Sequence, residues 1–507
     1  MLSMKTKIGA FDTGEYCRSK KDNRGVLHKR GTIRRNGLFH GVLLALFMLM
    51  NFYGCATVGP DYVPAEIETA EVWNSALDGG LTGIEPSPST LAAWWKTLDD
   101  PILSSLIDRA VAGNPDFKEA RARIRESRAR RGIDRASLFP VVDAAGSVTR
   151  SGGDTDRLYS AGLDASWELD IFGGSRRTIE ASSADLEASI EDLNDVLVSL
   201  LAEVALNYID VRAYQARLEI AGANLAAQQE TCRLVQSRYQ AGLSDELDLQ
   251  QALYALESVR SQLPSLRTGL EEAMNRLAVL LGQSPGAVHS ELKTLRPIPV
   301  TPLEIAVGVP ADTLRQRPDI RMAERELAAQ TARVGVATAD LYPKFTLTGS
   351  IGLESVSMGD FLTTAGRMWS IGPGFSWNIF DAGAIRQNIE VQSALQDQAL
   401  IQYESAILDA LEEVENALTA YAEEQQHRET LIASTDAARK AFRLAQDRYE
   451  SGLVDFSTVL ETQRSLLSFE DERAQSDGTV VSNLVRLYKA LGGGWSAMDG
   501  SITSGER

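Results

Sequence analysis

The chain has 507 residues, enough for two to four ordinary domains, and it carries 69 Asp+Glu against 51 Lys+Arg. Residues 1–54 hold 10 Lys+Arg and 3 Asp+Glu, so the rest of the chain is strongly acidic. This charge argues against a nucleic-acid partner, because such partners are bound by clustered positive charge.

Residues 1–54 form a basic leader that runs into the apolar stretch GVLLALFMLMNFYGC. A positive flank, a short apolar run and small residues predict a signal peptide, and the run is too short for a mature membrane-spanning helix. Cys55 follows Gly54 directly, which resembles a bacterial lipoprotein processing site where the cysteine thiol is acylated. The alternative is an ordinary signal peptide beside an incidental cysteine. If the signal peptide is removed and Cys55 is acylated, Cys232 is the one remaining cysteine with a free thiol. No internal disulfide is therefore expected.

The rest of the chain contains two copies of one unit. RYQAGL begins at Arg238 and RYESGL at Arg448, 210 positions later. Upstream, NPDF at 114–117 matches RPDI at 317–320 with an offset of 203. Each copy is predicted to form helix, strand, strand, long helix, turn and long helix.

Four segments alternate between apolar and polar residues, weakly at 141–150 and clearly at 159–171, 344–354 and 369–379. Period two predicts strands with one apolar face, as in outer-membrane barrels, although a soluble sheet packed on helices is the alternative. Lipid tolerates no open sheet edge, and known barrels need about eight strands. Four strands therefore predict that several copies complete one barrel. Two copies would give a filled interior, and three would leave room for a pore.

The first long helix is predicted from about Gly174 to Gln240, because this stretch lacks proline. Apolar residues recur every seven positions from Ile190 to Cys232, which specifies coiled-coil packing. At ~1.5 Å per residue the helix would be roughly 100 Å long. Cys232 occupies a seam position and is interpreted as a small buried hydrophobe.

Six motifs in a fixed order carry a resemblance to a known family. They are CATVGPDYVP (55–64), WWKTLDDPILSSLI (94–107), GVPADTLRQRPDI (308–320), LYPKFTLTGSIG (341–352), WNIFDAGAIR (377–386) and the two RYxxGL turns. In this order they resemble the outer-membrane efflux factors (TolC-like channels). Within that family, they resemble the NodT-type lipoprotein branch that serves resistance-nodulation-division (RND) efflux systems.

The resemblance implies a mainly α fold with a small β part and an internal two-fold repeat. It implies a homotrimeric channel-tunnel, in which four strands per chain form a twelve-stranded membrane β-barrel and long coiled-coil helices form a periplasmic α-barrel. Such a channel is a passive duct in the cell outer membrane for drugs or toxic compounds, docked on a periplasmic adaptor and an inner-membrane RND pump. No cofactor is implied beyond palmitoyl and diacylglyceryl groups on Cys55. The alternative within the family is a type I secretion channel.

The resemblance also divides the chain into six segments. They are the signal peptide at 1–54, a lipidated N-terminal segment with an equatorial helix at 55–113, a first repeat at 114–290, an equatorial linker at 291–316, a second repeat at 317–493 and a flexible C-terminal tail at 494–507.

The two RYxxGL turns are the candidate site and are interpreted as periplasmic tips. Gly242 and Gly452 suit the left-handed position that ends a helix. The residues after each glycine are assigned in pairs: Leu243 and Leu453 as apolar contacts, Asp245 and Asp455 as N-caps of the next helix. The alternative is that these residues only build tight helical hairpins.

The resemblance further implies a gate at the second tip. Tyr449 matches the family's inner-tip aromatic residue, and Asp248 matches the acidic residue that tethers it. The chain departs from the familiar salt-bridge lock, because Val454 stands where the best-studied member is basic. The two inner-tip aspartates of that member fall on Thr458 and Glu461. A threefold ring of Glu461, with Asp455, would concentrate cations and raise carboxylate pKa values by mutual repulsion.

An enzyme and a lipid-anchored periplasmic scaffold are the alternatives from other classes. Beyond the leader the chain has only His289 and His427, and it lacks HExxH, GxSxG, Walker and paired CxxC motifs. Enzymatic activity is therefore not expected. Conductance in a planar bilayer would separate a pore from a scaffold.

Overall fold

A computed structural model describes residues 57–65, 70–150, 157–302 and 304–495. The chain divides into two units, residues 1–54 and 55–507, and all described residues belong to the second. The signal peptide and the lipidation site at Cys55 lie outside the described residues. The six segment boundaries predicted from the sequence stay predictions.

Helices dominate the described part of the chain. The helices are α1 (Pro88–Ala92), α2 (Pro101–Gly113), α3 (Pro115–Ala136), α4 (Gly174–Gln240), α5 (Glu246–Leu280), α6 (His289–Leu292), α7 (Pro310–Gln316), α8 (Pro318–Ala339), α9 (Ala384–Glu450) and α10 (Phe456–Ala490). The strands are β1 (Leu81–Thr82), β2 (Val141–Arg150), β3 (Arg157–Leu169), β4 (Ile305–Ala306), β5 (Lys344–Ser355) and β6 (Arg367–Ser376). Short 3₁₀ turns occupy Trp94–Leu98 and Thr364–Gly366.

The two copies of the repeat have helices of equal length. α3 and α8 have 22 residues each, α4 and α9 have 67, and α5 and α10 have 35. The predicted duplication is confirmed, and α4 spans the range predicted for the first long helix. Its seam residues Leu186, Leu193 and Leu200 are buried, as the heptad pattern requires.

The four long strands form one antiparallel sheet in the order β2-β3-β5-β6. All four predicted strands are present, but the last ends at Ser376, three residues earlier than the alternation suggested. The side chain of Trp377 turns away from the ladder, because its Nε1 donates to the carbonyl of Leu341 at 3.0 Å. Trp167, the matching residue of the first copy, donates to the carbonyl of Leu138 at 2.9 Å.

The apolar face of this sheet is uncovered. Ile351, Trp369, Ile371 and Phe375 are 63%, 77%, 69% and 71% exposed. The alternative of a soluble sheet packed on helices is therefore wrong, because the sheet extends beyond the ends of the helices instead of lying on them. A contiguous apolar surface of this kind needs another apolar phase or partner.

The shorter helices stack end to end beside the long ones. α3 begins where α5 ends, since Asn114 Nδ2 donates to the carbonyl of Leu280 at 3.0 Å. α8 begins where α10 ends, and there Arg317 Nη1 donates to the carbonyl of Ala490 at 2.6 Å. Both junctions satisfy carbonyls that the end of a helix leaves unpaired.

The helices therefore make a wall of four columns, in the order α3/α5, α4, α8/α10 and α9. α4 packs on both stacked columns, whereas α9 packs only on α8 and α10 among the long helices. One side of the α3/α5 column and one side of α9 are open edges of this wall.

The described residues form four apolar clusters, and two of them lie at different levels of the columns. The larger core surrounds α2 and the middle of α4, and a smaller core fills the ends of the two hairpins. A polar cavity of about 470 Å³ lies between them. It holds the bidentate Arg217–Asp471 ion pair and the buried Gln463, whose Oε1 lacks a partner among the described residues. Pro264 interrupts the hydrogen-bond ladder of α5 at this level.

Candidate functional site

The two RYxxGL turns end their helices in the same way. Gly242 has φ +73°, and the backbone N–H of Leu243 donates to the carbonyl of Arg238 at 2.8 Å. Gly452 has φ +72° and is followed by the same bond pattern. Both glycines therefore have the left-handed conformation that closes a helix and starts a sharp turn.

The residues after the glycines follow the expectation only in part. Asp245 is the N-cap of α5, and its carboxylate accepts a hydrogen bond from the N–H of Asp248 at 2.9 Å. Asp455 is the N-cap of α10 but makes no side-chain cap bond. Leu243 and Leu453 are 69% and 74% exposed, so the apolar contacts expected of them are wrong. The turns project beyond the core at the hairpin ends, and the described residues leave most of both leucine side chains uncovered.

Tyr449 is the centre of the small core at the hairpin ends. Its side chain is buried, and its ring lies 5.5 Å from the ring of Phe456 between centroids. The guanidinium of Arg238 lies 4.7 Å from the Tyr449 ring centroid, close enough for a cation–π contact. Arg238 belongs to the first hairpin and Tyr449 to the second, so this contact joins the two tips.

Tyr449 and Asp248 are also brought together within one chain. The Ser244 hydroxyl donates to Asp248 Oδ2 at 2.7 Å, and both Ser244 and Asp248 act on the ionisation of Tyr449. Burial raises the pKa of Tyr449, and the Asp248 carboxylate adds to that rise, while Arg238 and Ser244 oppose it. The phenol therefore stays protonated at neutral pH and can donate a hydrogen bond.

The acidic positions of the second tip are exposed to solvent. Thr458 and Glu461 are exposed on the first turns of α10, and Val454 packs against the core at the hairpin ends. Neither Glu461 nor Asp455 makes an ion pair in the part of the chain that the structure describes. The ring of charge predicted for Glu461 and Asp455 stays a prediction.

Sequence reasoning missed Arg238, Ser244 and Phe456. Arg238 opens the first RYxxGL motif, but a motif does not show that its first residue covers an aromatic ring of the other copy. Ser244 and Phe456 lie beside the predicted N-caps Asp245 and Asp455, and no local pattern reveals their contact with Tyr449. These contacts depend on how the two hairpins pack.

A second constellation fixes the segment that follows Cys55. The buried guanidinium of Arg177 donates to Asp61 at 2.6 Å, to Glu180 at 2.8 Å and to the carbonyls of Val58 and Gly59. Gly59 touches α8 so closely that a Cβ would lie 2.4 Å from the Cα of Gly335. The segment therefore lies in the groove between α4 and α8.

A family model described as outer membrane efflux protein matches the chain twice, at residues 106–283 and 309–493. The chain belongs to the outer membrane efflux protein family. The two matched segments correspond to the two copies of the repeat, so each copy carries the family pattern by itself.

Curated relatives of this efflux protein cover almost its whole length. Nodulation protein T of Rhizobium leguminosarum bv. trifolii is 32% identical over 457 residues, which is 88% of this chain and 95% of that protein. The solvent efflux pump outer membrane protein SrpC of Pseudomonas putida is 32% identical over 468 residues, 89% of this chain and 98% of that protein.

Solved channels share the fold. The outer-membrane channel OprN superposes with a TM-score of 0.81 at 37% identity, covering 87% of this chain and 100% of OprN. The open state of the Neisseria gonorrhoeae MtrE outer membrane channel gives a TM-score of 0.77 at 29% identity, covering 87% and 99%. The protein is thus an outer-membrane efflux channel with a TolC-like, mainly helical fold.

The helices of the efflux channel differ from membrane-spanning helices. None in the described ranges combines the length and the apolar character needed to cross a bilayer. Among the relatives, SrpC is named as an efflux pump protein and OprN as an outer-membrane channel.

Proposed function

We propose that this efflux channel is the passive outer-membrane duct of a tripartite pump. It assembles as a homotrimer and docks on a periplasmic adaptor and an inner-membrane RND pump. The observation that carries the proposal is the exposed apolar face of a sheet that has only four long strands. Such a sheet suits lipid on one face, and its open edges require further copies of the chain.

The transported compounds are small toxic molecules or drugs delivered by the pump. The printed names of two relatives support this class, since SrpC serves solvent efflux and another relative, OpmQ, serves pyoverdine export. The hairpin ends form the gate, and the contacts of Tyr449 with Arg238 and Ser244 hold it closed.

The proposal is tested by conductance and by accumulation. The purified protein should run as a trimer and conduct ions in planar bilayers, and cells lacking its gene should accumulate ethidium faster than complemented cells. A folded monomer without conductance would contradict the proposal. If the protein conducts ions but deletion of its gene leaves ethidium accumulation unchanged, the protein is a pore that does not export this class of dye.

The double variant Tyr449→Phe, Asp248→Ala should loosen the gate. The phenylalanine ring keeps the contact with Arg238, while the hydrogen bond from Ser244 to Asp248 and the polar interactions of the Tyr449 hydroxyl are lost, together about 1–2 kcal/mol. A loss of about 1.4 kcal/mol corresponds to a tenfold rise in the open population, measured as channel conductance. The matched control is Tyr254→Phe, whose side chain is 63% exposed on α5. Equal conductance of both variants would contradict a gating role.

We further propose that Cys55 carries the lipid anchor. Thr57 lies against Gly173, and the N–H of Val58 donates to the carbonyl of Phe172 at 3.1 Å, where the sheet meets the helices. Cys55 is two residues away, a reach of at most about 7 Å. An acyl chain on Cys55 would therefore start at the level where the apolar sheet face begins.

The substitution Cys55→Ser should abolish incorporation of labelled palmitate. Serine has no thiol to form the thioether, so neither diacylglyceryl transfer nor later acylation can follow. The control is Cys232→Ser, because burial raises the pKa of that thiol and keeps it unreactive. Palmitate in the Cys55→Ser protein would refute the anchor.

A further inference from the structure

Helix α3 carries a stripe of arginines that the second copy of the repeat lacks. The stripe consists of Arg121, Arg125, Arg128 and Arg135, with Gly132 between the last two. With the offset of 203, these five positions become Glu324, Ala328, Thr331, Thr338 and Gly335 on α8, and none of them is basic. The two helices otherwise occupy equivalent places in the repeat, so the arginines point to a role that only the first copy has.

The arginine stripe is separated from the acidic residues of α3. Successive members are three or four positions apart, which places them on one face of the helix. The acidic residues lie on the opposite side of α3: Asp116, Glu119, Glu126 and Asp134. Two of these carboxylates pair with Arg123 and Arg130, which are outside the stripe. The four stripe arginines are exposed, and their guanidinium groups make no ion pair with the residues that the structure describes.

The stripe lies on the side of the wall that carries the segment after Cys55. On α8 the matching positions are covered by that segment, because Gly59 touches Gly335 and the Tyr62 hydroxyl donates to Glu324 at 3.0 Å. Since α3 and α8 are equivalent in the repeat, the matching face of α3 looks to the same side. The lipid anchor proposed for Cys55 requires a bilayer on this side, so the stripe is on the outside of the duct.

The upper end of the stripe reaches the level at which the sheet begins. α3 ends one residue after Arg135, and β2, which is exposed along its whole length, starts six residues after it. At ~1.5 Å per residue, Arg128 lies about 10 Å and Arg121 about 21 Å further from the sheet than Arg135. The headgroup region of a bilayer is about 5–8 Å thick, and charges in salt solution act over about 8–10 Å. Arg135 and Arg128 are therefore within reach of lipid headgroups, whereas Arg121 is not.

We propose that Arg128 and Arg135 bind the anionic headgroups of phospholipids in the periplasmic leaflet of the outer membrane. A guanidinium group can donate two parallel hydrogen bonds to one phosphate. Gly132 leaves room for the headgroup between the two arginines, because no atom lies within 4 Å of the position that its Cβ would take. The inference rests on the outer-membrane duct of the proposed function and adds a preference for one class of lipid.

Continuity with the sheet favours a lipid over a soluble anion. The site leads directly into the exposed apolar face, which needs an apolar phase to cover it. One phospholipid molecule can satisfy both surfaces, since its acyl chains lie against the sheet while its phosphate contacts the arginines. A soluble phosphate could use only the arginines.

Native mass spectrometry of the detergent-purified trimer tests the inference, with phosphatidylglycerol and phosphatidylethanolamine as the added lipids. The wild-type trimer should retain phosphatidylglycerol preferentially. Arg128→Gln with Arg135→Gln should weaken this binding about twentyfold, since each basic residue near an anionic surface contributes a factor of about five. The matched control is Arg121→Gln with Arg125→Gln, which removes the same charge further from the sheet and should leave the binding unchanged.

Three results would overturn the inference. The first is equal retention of the two lipids by the wild-type protein. The second is an equal loss of phosphatidylglycerol in the two variants, which would assign the effect to net charge. The third is displacement of the lipid by glycerol phosphate at the same concentration, which would identify a site for free phosphate. Any of these results in a trimer that still conducts would reject the lipid site alone, whereas a monomer without conductance would reject the proposed function as well.

Discussion

Replacing Gly282 by alanine should destabilise the channel more than any other single exchange at a helix end described above. Gly282 has φ +69°, where an L side chain costs about 1–2 kcal/mol. Its Cβ would also lie 2.3 Å from the carbonyl oxygen of Gly113, the last residue of α2, which precedes the N-cap Asn114 of α3 and cannot move without disturbing the junction of α3 with α5. Overpacking of this kind adds about 1–3 kcal/mol, so we expect a total of about 3 kcal/mol.

The matched control is Gly242→Ala. Gly242 has φ +73°, and no atom lies within 4 Å of the added Cβ. Gly242→Ala is therefore destabilised by the unfavourable backbone conformation alone. Thermal unfolding followed by far-ultraviolet circular dichroism should give a clearly lower midpoint for Gly282→Ala than for Gly242→Ala. Equal midpoints would mean that the contact between Gly113 and the end of α5 can shift without a cost in stability.

Replacing Arg177 by methionine should release the segment after Cys55 from its groove. Methionine fills the space of the aliphatic part but loses the hydrogen bonds to Asp61, Val58 and Gly59. Hydrogen bonds to charged groups contribute about 1.5–3 kcal/mol each. A net loss of about 3 kcal/mol corresponds to roughly a hundredfold increase in the open population of the segment. Hydrogen exchange at residues 58–62 should accelerate accordingly.

Arg333→Met is the control for this change. Arg333 of α8 spans the same two helices, but its guanidinium binds Asp185 of α4. Its removal should leave exchange at 58–62 unchanged. If both variants accelerate exchange equally, the segment is held by the general order of this junction and not by Arg177.

Most of the fold follows from periodicity in the sequence. The alternation at 159–171 predicted β3, and the heptads from Ile190 to Cys232 predicted α4. Each pattern marks an apolar face that must be buried in protein or in contact with lipid. The alternation predicted too late an end for β6. Trp377 continues the alternation, but its indole N–H donates to the carbonyl of Leu341. A side-chain bond of this sort leaves no trace in hydropathy.

The candidate site was less accessible from the sequence. The turn glycines and the N-cap Asp245 are local features, and the sequence places them correctly, whereas Asp455 stands at an N-cap position without a side-chain cap bond. The contact of Arg238 with Tyr449 spans both hairpins, and it forms only because α4 and α9 have equal length and end at the same level. Burial of Arg177 could not be predicted either, because its partners come from a segment more than a hundred positions away.

The polar cavity beside Pro264 lies between the apolar core around α2 and the apolar core at the hairpin ends. Regions that are not joined by one continuous core open locally at a lower free-energy cost than the whole fold. We therefore expect the hairpin ends to open without unfolding the core around α2. In that case the stability of the channel and the mobility of its gate depend on separate layers of the wall.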